Sequence, residues 1–167
     1  MLDISRLSAD YLVRRLDRRN LTAILALQEE NPLYYQHCPP QPSIGKILED
    51  MVALPPGKRG DDKYYLGFFD GKELVAVMDL IVAYPHANTV FIGFFMMAAR
   101  RSGQGAGSGI ILTALKELKA EGYSFARLGY MKGNQQSKAF WEKCGFVEAG
   151  LEVRNNQGTM VILSKEL

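Results

Sequence analysis

The sequence predicts an α+β fold, a mixed and mostly antiparallel sheet flanked by helices on both faces. Three observations carry that expectation. The hydrophobic pattern changes at Tyr64 from helical spacing to nearly continuous apolar runs. An Asp70-Gly71 pair divides two of those runs, which is the signature of a tight hairpin. The runs are apolar on both faces, so each side of the sheet must be covered. At 167 residues, 47% of them hydrophobic, the chain has the length of one domain, residues 1–167. A domain of that size buries about 70% of its unfolded surface and needs no disulfide or metal staple.

In chain order, Tyr11–Asp17 alternates Leu12, Arg14 and Leu16 as a strand does. Asn20 is placed to cap a helix over Leu21–Glu30, whose apolar face is Leu21, Ile24, Leu25 and Leu27 and whose end is Pro32. An aromatic, proline-rich connection follows over Leu33–Pro42. Ser43 is placed to cap a second helix reaching about Leu54, and Pro55–Asp62 reads as a polar loop. Tyr64–Phe69 and Leu74–Tyr84 form the hairpin, with Asp70-Gly71 supplying positive φ angles. After a turn at Pro85–Asn88, Thr89–Met97 is a third strand. A glycine-rich loop, Ser102–Gly109, opens a helix to about Glu121, with Gly122 at the left-handed cap. Phe125–Met131 is a strand and Asn134–Cys144 a helix. A last hairpin joins Phe146–Val153 to Thr159–Leu163 across Asn155–Gly158.

Composition excludes several function classes. Twenty Lys+Arg against 18 Asp+Glu is too even for a nucleic-acid footprint. Cys38 and Cys144 have no partner spacing, and only His37 and His86 could join them, so no metal site is expected. Charges at Asp3, Arg6, Asp10, Arg14 and Arg15 break up the first 16 residues, which do not read as a signal peptide. The longest apolar stretches, Leu74–Ala83 and Val90–Ala99, fall short of the roughly 20 residues a membrane span needs. A cytoplasmic, reduced setting with no membrane partner is the expectation.

The loop Ser102-Gly103-Gln104-Gly105-Ala106-Gly107-Ser108-Gly109 lies between an apolar strand and an amphipathic helix. Missing Cβ atoms let successive N–H groups converge on an anion, and the helix start adds about half a positive charge. A phosphate is the natural guest. A nucleotide P-loop would need Gly-Lys-Ser/Thr, absent here, and a dinucleotide fingerprint would need Gly or Ala where Ser108 stands.

The loop resembles instead the acetyl-CoA-binding segment of the GCN5-related N-acetyltransferases (GNAT), Gln/Arg-x-x-Gly-x-Gly/Ala, mapped onto Ser102–Gly107. Ser102 replaces the usual Gln or Arg, with Arg100 and Arg101 adjacent. Asn134–Phe146 is similar to the family's Asn-x-x-Ala-x-x-Phe-Tyr-x-Lys-x-Gly-Phe segment, with Ser137 for Ala and Trp141 for Tyr. The order of elements from Tyr11 to Leu163 fits as well. The resemblance implies a bulged strand before the loop that splays from the next parallel strand. Pantetheine would lie in that V against the main chain near Phe95 and Met97, and the pyrophosphate on Gln104–Ser108. Asn134 would border the cofactor or simply cap its helix. Lys132, Lys138 and Lys143 would meet the 3′-phosphate or remain solvated.

Acetyl transfer to an amine needs a base for the amine and a proton for the thiolate. Asp79, a lone carboxylate amid Val75–Val82, is the candidate base, since burying it unpaired would cost several kcal/mol. The alternative is a hydrogen-bonded structural Asp. Trp141 cannot supply the proton that the family's Tyr supplies; its spacing to Gly145 and Phe146 suits a Schellman helix end instead. Tyr130 is the substitute acid. His86 has a suitable intrinsic pKa but sits in a turn. By the resemblance, the acceptor site is walled by the connection between the first helices, with Tyr34, Tyr35 and His37, and by the last hairpin. The expected activity is acetyl-CoA-dependent transfer to a small-molecule or peptide amine by direct attack. The rivals are a catalytically silent acyl-CoA-binding module, O-acyl transfer or another acyl donor, and an interaction domain with an unused loop. The C-terminal hairpin's edge would support a homodimer.

Overall fold

The computed structural model describes all 167 residues. Seven strands form one sheet in the order β1-β2-β3-β4-β5-β7-β6. They are β1 (Leu12–Arg15), β2 (Lys63–Asp70), β3 (Glu73–Ile81), β4 (Thr89–Met97), β5 (Phe125–Met131), β6 (Val147–Asn155) and β7 (Gly158–Glu166). The helices are α1 (Leu21–Glu29), α2 (Pro32–His37), α3 (Ile44–Val52), α4 (Ala106–Ala120) and α5 (Gln135–Lys143). Only β4 and β5 run parallel. The α+β expectation holds.

Both faces of the sheet are covered. One apolar cluster joins Phe68, Met78 and Leu128 to Ile111 and Leu118 of α4 and Trp141 of α5. The other joins Tyr65, Phe69 and Val77 to Ile24 and Leu27 of α1, Tyr35 of α2 and Ile47 of α3. Each such side chain fully removed from water stabilises the fold by about 1.5–3 kcal/mol. No helix is long and apolar enough to cross a membrane.

The caps explain the helix limits, with some corrections. Ser43 accepts from the Lys46 amide at 3.1 Å and starts α3. Gly122, at φ +100°, ends α4. Asn20 does not cap α1; its Oδ1 accepts from the Asp17 amide at 3.0 Å, closing a one-turn 3₁₀ helix before α1. Pro32 is the first residue of α2 rather than a terminator, because proline has no amide for that orphan position to leave unbonded. In the β2–β3 hairpin only Gly71 is left-handed (φ +60°). Asp70 pairs with Glu73, so the loop is the two residues Gly71-Lys72. The glycine-rich loop is shorter than predicted, since the helix has already begun at Ala106. The final strands run further than expected, and β6 is the sheet's exposed edge.

One irregularity shapes the centre of the sheet. Asp79 pairs with Phe94 and Leu80 with Ile92, so Gly93 bulges out of β4. The parallel contact between β4 and β5 covers only Thr89–Ile92 against Phe125–Leu128. Beyond it β4 stays with β3, while Gly129–Met131 of β5 stays with β7. The two strands diverge into a wedge.

Candidate active site

At the wide end of the wedge β4 leads through a 3₁₀ turn, Ala99–Arg101, into the loop. Gly103 (φ +81°) and Gly105 (φ +76°) adopt the left-handed backbone that costs other residues about 1–2 kcal/mol. The amides of Gly103, Gln104, Gly105, Ala106, Gly107 and Ser108 donate to no group of the protein; the ladder of α4 begins with Gly109 donating to the Gly105 carbonyl at 3.0 Å. Six free N–H groups in and just before the first turn of a helix are the kind of donors an anion can use. Gly107 has a different purpose, because a Cβ there would lie 3.1 Å from Met97 Cγ and 3.3 Å from Phe140 Cε2. Its small size lets α4 seat against β4 and α5.

Neighbouring side chains are committed elsewhere. Ser102 Oγ donates to the Ala99 carbonyl at 2.7 Å, and Ser108 Oγ to the Gly105 carbonyl at 3.1 Å. Arg100 pairs with Glu30 and Glu73, and Arg101 with Asp70 and Glu73. Hydrogen bonds from Arg101 and then Arg100 hold the Glu73 carboxyl below its usual range. The two arginines brace the turn instead of reaching into the loop.

The wedge opens into a cavity of about 230 Å³. Gly93, Phe94 and Phe95 line one side, Leu128–Met131 the other, and Asn134, Ser137 and Trp141 the α5 end. Ala98 donates to the Val75 carbonyl at 2.8 Å; strand alternation therefore turns the main-chain groups of Phe95 and Met97 toward the wedge. Asn31 Nδ2 already donates to the Met97 carbonyl at 3.0 Å, and Met97 does not line the cavity. Asn134 caps α5, accepting from the Ser137 amide at 3.1 Å, and it also lines the cavity. Lys138 lies outside, 3.9 Å from Glu142 and 4.0 Å from Glu148.

Trp141 is held by a Schellman end. The Phe146 amide donates to the Trp141 carbonyl at 3.1 Å and the Gly145 amide to Glu142 at 2.9 Å, with Gly145 at φ +92°. The rings of Trp141 and Phe146 meet edge-on at 5.4 Å. Tyr130 is buried and faces the same cavity.

On the face covered by α1–α3, the cavity reaches Asp79. Lys63 Nζ donates to Asp79 Oδ2 at 2.8 Å, while Oδ1 is buried without a partner. Burial raises the Asp79 pKa above its usual value, and the Lys63 hydrogen bond and charge oppose that rise. The bulge makes room, since a Cβ on Gly93 would sit 3.1 Å from Asp79 Oδ2. Tyr34 and Tyr35 line this end, edge-on at 5.0 Å, and Tyr34 meets Phe94 at 5.8 Å. Burial pushes both phenols up. His37, last in α2, is not in the lining. Gln157, in the β6–β7 turn, donates from Nε2 to the Pro39 carbonyl and brings the last hairpin over this mouth. Sequence reasoning missed Gly93, Lys63, Tyr65, Asp50 and Gln157. No three His, Cys, Asp or Glu side chains converge as a metal would require.

The sequence pattern of the acetyltransferase (GNAT) family matches residues 11–146. No curated protein sequence matches the chain. Among solved structures, an acetyltransferase from Thermus thermophilus is similar with a TM-score of 0.72 at 19% identity, over 94% of this chain and 97% of that one. The ribosomal-protein-S18-alanine N-acetyltransferase of Escherichia coli gives 0.67 at 16% identity, over 93% of each chain. PaiA N-acetyltransferase of Thermoplasma acidophilum, in complex with coenzyme A, gives 0.67 at 18% identity, over 94% of this chain and 99% of that one. At these identities the likeness is one of fold.

Proposed function

The chain belongs to the acetyltransferase (GNAT) family, and from that premise we propose that it moves an acetyl group from acetyl-CoA to a primary amine by direct attack in a ternary complex. The observation that carries this reading is the run of six unpartnered amides, Gly103–Ser108, beside the β4–β5 wedge. They fit a pyrophosphate, which needs several donors and positive potential at one place. The coenzyme A held by the Thermoplasma acidophilum relative supports the same guest here. When bound, acetyl-CoA supplies a thioester carbon open to attack by an amine, with the thiolate leaving.

The chain's own groups divide the work. The amides of Gly103–Ser108, with the side chain of Gln104 at the rim, hold the pyrophosphate, while Ser102 shapes the turn that leads into them through its bond to the Ala99 carbonyl. Phe95 and the Met97 amide align the pantetheine along the wedge, while Asn134 closes it and Lys138 offers charge beyond. Tyr34 and Tyr35 wall the acceptor end, and His37, at the end of the same helix, is the third candidate on that side. A free alkylamine, with a pKa near 10, arrives protonated at neutral pH. Asp79 takes that proton. Tyr130, on the strand facing β4, returns one to the departing sulfur, the role that Trp141 cannot fill. The free thiols Cys38 and Cys144 suit a cytoplasmic, reducing setting. The edge of β6, with Val147, Leu151 and Val153 exposed, is where a second copy would pair.

Release of free thiol from acetyl-CoA, measured across a panel of small amines and peptides, tests the reading. Amine-dependent release is expected. Tight acetyl-CoA binding with no release for any amine would establish instead the silent acyl-CoA-binding module, which Trp141 in place of a tyrosine favours.

A further inference from the structure

Three polar residues share the sheet face beneath α3. Tyr65 stands directly opposite Asp79, and Lys63 lies two residues along β2 on the same side. The Lys63 side chain is 6% exposed, yet its ammonium is held twice, by Asp79 Oδ2 at 2.8 Å and by the Ala53 carbonyl beyond α3 at 2.9 Å. Asp79 Oδ1 and the Tyr65 hydroxyl are both buried with no partner, and both residues line the cavity. Each of these buried atoms forgoes a hydrogen bond that a water or an ammonium entering the cavity would restore. Lys63 does not face that cavity. It lines a second one of about 400 Å³, shared with Arg15, Leu16 and Met51.

We infer that Lys63 is a positioning residue for the transfer reaction: it pins one Asp79 oxygen and keeps the carboxylate ionised, leaving the other oxygen, beside Tyr65, to take the acceptor's proton. The inference rests on the acetyl-transfer reading of the same cavity. The step balances: the N–H bond of the ammonium breaks, its electron pair stays on nitrogen for attack on the thioester, and the proton passes to Asp79 Oδ1. The other titratable groups that line this cavity are the paired Lys46 and Asp50 of α3, Tyr34 and Tyr35 of α2, Cys38 just after it and Tyr130 of β5, while β4 presents only the uncharged Ile92–Phe95. Burial with no countercharge raises a carboxyl by as much as 3–5 pKa units, and a proton already in place would leave Asp79 no base at neutral pH. The Lys63 ammonium works against that rise.

The test uses the carboxyl carbon resonance of Asp79, identified by its loss in Asp79→Asn, titrated in the ligand-free protein beside the pH profile of kcat/KM for acetyl transfer. In the wild type the acid limb of the profile is expected to coincide with the Asp79 midpoint; a limb that does not track it overturns the inference without any variant of Lys63. Lys63→Met is expected to raise midpoint and limb together by about 1–3 units, and Lys63→Arg to restore both. Lys63→Gln, which keeps a donor and drops the charge, must give the same rise; a folded Met or Gln variant with an unmoved midpoint overturns the inference. A residue that was merely structural would lower activity equally at every pH. Absence of transfer to any amine overturns the acetyl-transfer reading itself, whereas a transferring enzyme whose acid limb ignores Lys63 overturns only the positioning role.

Discussion

Glutamate in place of Gly105 sets a carboxylate among the six free amides, and its two costs can be separated. The first is conformational. Gly105 sits at φ +76° with nothing within 4 Å of an added Cβ, so any side chain there costs only the left-handed strain of about 1–2 kcal/mol. In a domain of this length that lowers Tm by about 2–8 °C. The second cost falls on the ligand. Two phosphate charges about 5 Å from the new carboxylate repel it by about 1.7 kcal/mol at the dielectric of water, and about four times that at an effective dielectric of 20. Acetyl-CoA affinity should therefore fall by at least about 20-fold. Gly105→Ala carries the same strain without charge or reach and serves as the control. Titration calorimetry with acetyl-CoA, alongside thermal melting, should show both variants losing similar stability and only the glutamate losing affinity. Equal affinities for the wild type and Gly105→Glu would refute the assignment of the loop to the pyrophosphate.

Four other outcomes are expected. Acetyl-CoA at 100 times its Kd should add about 2.7 kcal/mol of stability, seen by scanning calorimetry as a rise of about 5–11 °C. Asp79→Asn should lower kcat by about 10²–10⁴-fold with acetyl-CoA affinity unchanged, and steady-state kinetics paired with direct binding will check the split. Gly107→Ala should destabilise the seat of α4, since the methyl would press on Met97 and Phe140; a Tm equal to that of the wild type would contradict the close contact. Burial pushes the Cys144 thiol up to about 11, so at pH 8 a thiol reagent should modify Cys38 in the native chain and both cysteines only after denaturation.

Much of the fold was legible because local chemistry specified it. Ser43, Gly122 and the Trp141–Gly145–Phe146 ending act through bonds within a few residues, and each did what its spacing implied. The loop was legible for the same reason: glycine spacing after a strand is a local signal. Long-range partners were not. Counting back from the Asp70–Glu73 pair would set Asp79 opposite Tyr64, on the wrong face of β2. A one-residue slip at Phe68/Phe69 puts it opposite Tyr65 and beside Lys63. The acidic partners of Arg100 and Arg101 were not legible, because they lie some 27 to 70 residues away in the chain. Proline at position 32 has two readings, and only the packing of Tyr35 into the apolar cluster under α1–α3 decides that a helix starts there.

The short parallel contact between Thr89–Ile92 and Phe125–Leu128 is the sole ladder joining β1–β4 to β5–β7. Four residue pairs then act as a pivot, beyond which β4 and β5 themselves stand apart. A guest bonded to both strands would serve as a strut between them. Stiffness across the middle would then depend on occupancy, and backbone amides flanking the pivot should exchange with solvent more slowly once the strut is in place.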